Sequence, residues 1–370
     1  MCQGVGIFLF HISDVCVIRD DVRFFLFLVL GTQAFAVGLD PYARLVLADP
    51  PGAARDGVRV TYLGTNGYQF ELKGHVLLVD PYFSRVDLLS VALGSRIQPN
   101  ASRINDGLRQ LASNDAWSSL FRRHGAAHAA HANAELQTSP NVDAILVTHG
   151  HFDHLLDVPT VMAKTRAHLI ASASSVDLAK HAGASSGNAV KPGDVRRIGP
   201  WKIRVLSATH DRLFGKVPFD QPHSQAGLSA ESAAKAGLAK AEVPQTAADW
   251  ICGEPLAFLI EGNGQRIYID SGGTPAQLPP NESGRRRVDL AILGMALPDS
   301  RARLAAALAY LQPRYVLPSH QDDFFRPLSA GFQFGPLTDF PFVERECAQQ
   351  NRSRLILLDY FRPWTLPKRQ

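Results

Sequence analysis

The stretch His149-Gly150-His151-Phe152-Asp153-His154 sets three imidazoles and a carboxylate within six residues, directly after the apolar run Ala144-Ile145-Leu146-Val147-Thr148. Each imidazole needs its ring nitrogens satisfied, and a divalent cation satisfies several at once. In a chain with thirteen histidines the pattern arises by chance roughly once in a thousand sequences. The ordinary alternative is a solvated polar loop.

Such a loop needs a rigid support, and a strand end provides one. Arg59–Leu63, Tyr68–Leu72 and Val76–Val79 read as three strands separated by Gly64-Thr65-Asn66-Gly67 and Lys73-Gly74, both hairpin punctuation. Ala144–Thr148 reads as a buried strand, Val158–Lys164 as a helix, His168–Ala171 as a strand, Ser175–His181 as a helix and Trp201–Ser207 as a strand. Leu256–Glu261 and Gln265–Ile269 form a hairpin over Gly262-Asn263-Gly264; strand Asp289–Leu293, helix Arg301–Leu311, strand Tyr315–Leu317 and a last strand Leu355–Leu358 follow. The order is mixed α/β. Two atypical stretches, 84–140 with helical character over Ile104–Leu136 and 211–250 with an Ala-rich run Ala226–Ala241, read as insertions in one domain covering 37–370.

With this order of elements, the metal motif resembles the metallo-β-lactamase superfamily, over roughly Val58 to Leu358. The resemblance implies an αββα sandwich with a dinuclear site at one edge. It assigns His149, His151 and His210 to one ion and Asp153, His154 and His320 to the other. Asp270 bridges them, and Asp80, in Leu78-Val79-Asp80-Pro81, braces the metal loop. Two such ions, about 3.5–4 Å apart, would share a water, lower its pKa and stabilise the charge its attack creates. The nitrogen and oxygen donors suit Zn²⁺ foremost, with Mn²⁺ or Fe²⁺ as alternatives.

The implied reaction is hydrolysis of an ester, lactone or phosphodiester in a small or lipid-like molecule by a metal-bridging hydroxide, with Asp153 and Asp270 orienting it. Asp270 argues against antibiotic hydrolysis, since the true β-lactamases generally lack that residue. A lactonase-like and N-acyl-phosphatidylethanolamine phospholipase D-like branch matches best through Asp80-Pro81 and through His320 followed by Phe324. The chain has Gly64-Thr65 and Asp270-Ser271 where that branch often has Gly-His and Gly-Asp-Thr. Alternatives are a mononuclear iron dioxygenase of the same fold and a non-catalytic metal-binding module. The two insertions would wall the substrate site.

Composition agrees with a globular domain: 370 residues, 46% hydrophobic and 19% charged, net charge +4 without basic blocks, which disfavours a nucleic-acid partner. Phe24–Leu30 is an apolar run after Arg23 and before Ala34-Phe35-Ala36, the pattern of a signal peptide spanning 1–36 and hence of export. A start near Val22, or a retained apolar segment too short for a stable membrane span, is the alternative. Removal of 1–36 leaves Cys252 and Cys347, which could pair or stay as buried thiols.

Several other side chains invite a role. His124, His128 and His131 share one helical face, as a further metal site, a face at the site's mouth or a solvent face. His223 could touch substrate, His75 reads as a surface or structural residue, and Arg122-Arg123 or Arg285-Arg286-Arg287 could meet phosphate. Asp211, Asp322 and Asp323 are candidates to orient the imidazoles of His210 and His320, with local loop hydrogen bonding as the alternative.

Overall fold

A computed structural model describes residues 37–50, 57–113, 141–212, 217–218, 243–272, 287–350 and 352–368. Two seven-stranded mixed sheets lie face to face. The first has the order β14-β1-β2-β3-β4-β5-β6 and the second β13-β12-β11-β10-β9-β8-β7. Sheet one comprises β1 (Arg59–Gly64), β2 (Gly67–Leu72), β3 (His75–Val79), β4 (Ala144–Leu146), β5 (His168–Ala171), β6 (Asn188–Ala189) and the returning β14 (Trp364–Thr365). Sheet two comprises β7 (Val195–Ile198), β8 (Trp201–Ser207), β9 (Leu256–Gly262), β10 (Gln265–Ile269), β11 (Leu290–Gly294), β12 (Tyr315–Ser319) and β13 (Arg354–Leu355).

Strand alternation divides the apolar side chains among three layers. In β3, Leu77 and Val79 face the inter-sheet core with Phe258, Ile267 and Leu317, while Val76 and Leu78 face outward. In β11, Leu290 and Ile292 point inward while Ala291 and Leu293 pack outside. Both faces of the central strands are covered, so they read as near-continuous apolar runs.

The outer layer on sheet one includes α1 (Leu88–Ala92), α2 (Ala101–Ser113), α3 (Phe152–Leu155), α4 (Val158–Thr165) and α5 (Ala173–His181). On sheet two it is formed by α6 (Pro298–Leu311) and α7 (Phe340–Gln349). The result is the expected αββα arrangement. Helix α2 buries Ile104, Leu108 and Leu111, spaced so that they lie along one face. Proline opens α6, and Gln312 closes it in a left-handed conformation with φ 44°.

One expectation changes. The run Leu355–Leu358 is not one strand: Ile356 donates to Val316 and Leu357 to Leu45, so successive residues bond to different neighbours. The flanks of both insertions contribute to the core: Ile97, Ile104, Leu108, Ala247 and Trp250 are buried in the layer outside sheet one. Cys252 and Cys347 are both buried free thiols and do not pair. Residues 1–36, His124, His128, His131, His223, Arg122, Arg123, Arg285, Arg286 and Ala226–Ala241 lie outside the described residues. Arg287 is exposed and bonds Gln312, while His75 is paired with Asp143 at 3.2 Å. Among the described residues no helix is long and apolar enough to cross a membrane.

Candidate metal centre

Four strand ends supply the site. After β4 the chain turns at Thr148 and His149, and α3 begins with His151 as its N-cap, carrying Asp153 and His154 in its single turn. His210 follows β8, Asp270 follows β10 and His320 follows β12. Gly150 permits the tight approach of this loop to its neighbour: a Cβ there would lie 2.3 Å from the Ile251 carbonyl oxygen. The Gly150 amide instead donates to the Cys252 carbonyl at 3.0 Å.

Two donor clusters result. One ligand atom from each of His149, His151 and His210 lies within 4.8 Å of the others, and the same holds for Asp153, His154 and His320. The first three rings stand edge-on to one another, with centroids 4.5–4.7 Å apart. The clusters adjoin, since the rings of His149 and His154 are 4.0 Å apart. Each draws donors from both sheets. These are the residues in which the metal motif and its downstream partners were expected to converge.

Hydrogen bonding fixes which nitrogen faces inward. The Thr148 hydroxyl donates its one hydrogen to Asp80 Oδ2 at 2.6 Å, so its oxygen accepts from His149 Nδ1 at 3.1 Å. That leaves the His149 Nε2 lone pair facing His151 Nδ1, 2.9 Å away. His154 Nδ1 donates to Asp80 Oδ2 at 2.8 Å, which turns its Nε2 towards Asp153 and Ser271. His210 Nδ1 donates to the main-chain oxygen of Asp211 at 2.6 Å. Such outward bonds orient metal-binding imidazoles.

Burial and neighbouring charges act differently on the two clusters. Burial first, then the neighbouring rings, holds His149 and His151 well below the usual histidine range, and His210 is lowered to about 3 by the same causes. Neutral imidazoles are the metal-binding form. Burial opposes ionisation of Asp153, but His154 and His320 carry its pKa well below the carboxylate range. Burial likewise works against a charged His154, yet Asp153 and Asp80 push it up to about 10. Three closely packed neutral rings beside a carboxylate crowded by two histidines form a donor set that a divalent cation fits.

Asp80 is the brace that was expected. Fully buried and at φ 41°, it accepts from Thr148 N, Thr148 Oγ1, Asn66 Nδ2 and His154 Nδ1 at 2.6–2.8 Å. Asp270 belongs to neither cluster of three. Its Oδ1 accepts from Gly272 N and Gly294 N, each at 3.1 Å, and its Oδ2 from Tyr268 Oη at 3.0 Å. Gly294 has to be glycine for this, because a Cβ would lie 2.2 Å from Gly272 N.

Of the two readings open for Asp211, Asp322 and Asp323, their carboxylates take local and structural hydrogen bonds and none bonds an imidazole of His210 or His320. Asp211 turns its carboxylate to Arg303 and serves His210 through its main-chain oxygen. Asp322 bonds Tyr62, Thr65, Arg85 and Tyr360, and Asp323 caps Phe325 N. Their sequence positions beside His210 and His320 carried no information on side-chain direction. Conversely, Asn66, Thr148, Tyr268 and Ser319 hold the site without having been singled out. A Thr before a metal histidine and an Asn in a turn are too common to signal this. Phe324, matched to the branch noted above, packs edge-on against His320 with centroids 5.2 Å apart.

The family described as Beta-lactamase superfamily domain matches residues 112–320, and the chain belongs to it. A metal-dependent hydrolase of Anaeromyxobacter sp. (strain K) is 30% identical over 202 residues, covering 52% of this chain and 62% of the relative. One of Desulfitobacterium hafniense is 28% identical over 188 residues, covering 50% and 67%. Thus the match spans less than two thirds of the Anaeromyxobacter protein. Among solved structures, a metallo hydrolase from Ignicoccus hospitalis aligns with 14% identity and a TM-score of 0.46, covering 84% of this chain and 99% of its own.

Proposed function

We propose that the chain is a metal-dependent hydrolase of small molecules with an ester, lactone or phosphodiester bond. Two divalent ions, Zn²⁺ foremost, would be held by His149, His151 and His210 and by Asp153, His154 and His320, with Asp270 between them. The observation that carries this reading is the side-by-side pair of three-donor clusters, joined at the 4.0 Å contact of His149 with His154. A single-ion dioxygenase would need only one of them. The naming of the relatives as metal-dependent hydrolases supports the same class.

Divalent ions bound there would supply Lewis acidity for a developing oxyanion and a water of lowered pKa. The chain's own contribution is preorganisation. Burial keeps His149, His151 and His210 neutral, so their lone pairs are presented without competition from protons. Thr148 fixes the tautomer of His149, and Asp80 fixes the orientation of the His154 ring. Asp153 stays ionised, and the Gly272 and Gly294 amides hold Asp270 in one orientation. These two carboxylates are the groups able to accept a proton from an attacking water.

The test is metal content together with turnover of ester, lactone and phosphodiester panels by wild type and Asp270→Ala. Two equivalents of metal in wild type and a fall in turnover of roughly 100-fold or more in the variant are expected. Full occupancy with unchanged turnover in Asp270→Ala would remove that residue from the mechanism. Two bound ions without turnover of any panel member would mark a non-catalytic metal module. A single iron with oxygen consumption would mark the dioxygenase.

A further inference from the structure

We infer that the buried Arg85–Asp322 ion pair is the positioning device for His320, acting through the main chain of Thr65. It thereby sets the affinity of the Asp153, His154 and His320 cluster for its ion. The inference rests on the dinuclear reading above and concerns residues that touch neither ion nor substrate.

Asp322 lies 2% exposed, and its hydrogen-bonding capacity is filled. Oδ1 accepts from Tyr62 Oη and Thr65 N, each at 2.8 Å. Oδ2 accepts from Arg85 Nη2 at 2.9 Å and Tyr360 Oη at 2.6 Å. No acceptor position remains for a ligand or an imidazole. Arg85, 1% exposed, stands over the rings of Tyr82 and Tyr360 at 5.7 and 5.8 Å, so the pair is enclosed on both sides.

The carbonyl of the same residue reaches the metal loop. Thr65 O accepts from His320 N at 2.8 Å. One residue of the first hairpin therefore joins the ion pair to a metal-binding histidine on the opposite sheet. Both Thr65 and His320 sit at positive φ, 54° and 53°. For a β-branched threonine that conformation is an outlier, and it persists only where the surroundings over-determine it. The saturated Asp322 carboxylate provides that constraint on the Thr65 side. If it is loosened, Thr65 relaxes, and the His320 amide loses the acceptor that fixes its own unusual backbone.

A purely structural ion pair would lower stability without favouring either ion. A positioning pair affects one ion only. The test is titration of the metal-free full chain with Co²⁺, followed by visible absorption and calorimetry, on wild type, Asp322→Asn and Tyr360→Phe. His320→Ala identifies the binding step that belongs to its cluster. In Asp322→Asn that step should weaken by about 10- to 100-fold, the range for outer partners of metal ligands, while the other step keeps its affinity. Tyr360→Phe, which loses one hydroxyl, should weaken the same step several-fold.

Wild-type affinity for both ions in the two variants overturns the inference, and so does an equal weakening of both steps. If Asp322→Asn does not fold, Tyr360→Phe decides alone. A wild type that binds only one equivalent overturns the dinuclear reading and this inference together.

Discussion

Replacing Thr148 with valine tests how the chain selects the tautomer of His149. The side chain is 1% exposed and does two things with one hydroxyl: it donates to Asp80 Oδ2 at 2.6 Å and accepts from His149 Nδ1 at 3.1 Å. Valine keeps the shape and deletes both bonds. Loss of a bond to a charged acceptor is worth about 1.5–3 kcal/mol, and a buried imidazole N–H left without a partner adds about 1–3 kcal/mol. The extra buried methyl recovers about 1 kcal/mol, leaving a net loss of about 1.5–5 kcal/mol in denaturant unfolding of the metal-free protein.

The second effect is on metal. Without an acceptor at Nδ1, His149 gains by moving its proton to Nε2, which removes the lone pair that faces His151. Affinity at the His149, His151 and His210 cluster should fall by about 10- to 100-fold, measured by competition with a chelating indicator. Thr148→Ser restores the hydroxyl and gives up one methyl, so it should lose about 1 kcal/mol of stability and keep wild-type affinity. If Thr148→Val matches wild type in both unfolding midpoint and metal affinity, the tautomer argument is wrong.

Gly150→Ala forces a Cβ to 2.3 Å from the Ile251 carbonyl oxygen, so the loop between His149 and His151 must move. Its cost should be about 1–3 kcal/mol, with weakened metal binding in the same titration; a variant with wild-type affinity would show that the loop tolerates the shift. Asp157 is fully buried against Ser84 and the Phe83 amide, and burial raises its pKa to about 6. Its folded pKa exceeds the unfolded value, so the folded state binds more protons between about pH 4 and 6, and stability declines as pH rises through that window. The swing is roughly 3 kcal/mol. Asp157→Asn should therefore show a flatter stability profile than wild type from pH 4 to 7, and an unchanged profile would refute the shift. Cys252 and Cys347 are 2% and 3% exposed, and burial pushes the Cys347 thiol up to about 12. Alkylation of native protein followed by peptide mapping should leave both unmodified until denaturant is added, whereas rapid labelling of either would contradict its burial.

Strands bounded by sharp punctuation were legible from the sequence to the residue: His168–Ala171, Trp201–Ser207 and Gln265–Ile269. The Asn263-Gly264 turn takes φ 53° and 76°, as a two-residue hairpin of that composition requires. Elements with weak patterns were missed. The edge strand β7, Val-Arg-Arg-Ile, carries no apolar alternation, and α7 contains Pro341, which is tolerated only because it sits in the first turn. For the site, spacing pointed to the residues that converge, because a metal centre would impose such a pattern. The residues behind them are distant in the chain: Asn66 meets Asp80 and Ser319, and Asp322 meets Arg85 across 237 positions. No local pattern encodes such contacts.

The returning strand β14 bears on the order in which the chain can assemble. Trp364 and Thr365 pair with Val60 and Arg59, the first strand of sheet one. Until that C-terminal segment is synthesised, β1 is an outer edge with unpaired amides and carbonyls, a template for strand addition by another chain. All the other strands of both sheets precede β14 in the sequence. A nascent chain can therefore complete its second sheet before its first, and the β1 edge can be covered only once Trp364 and Thr365 have been made.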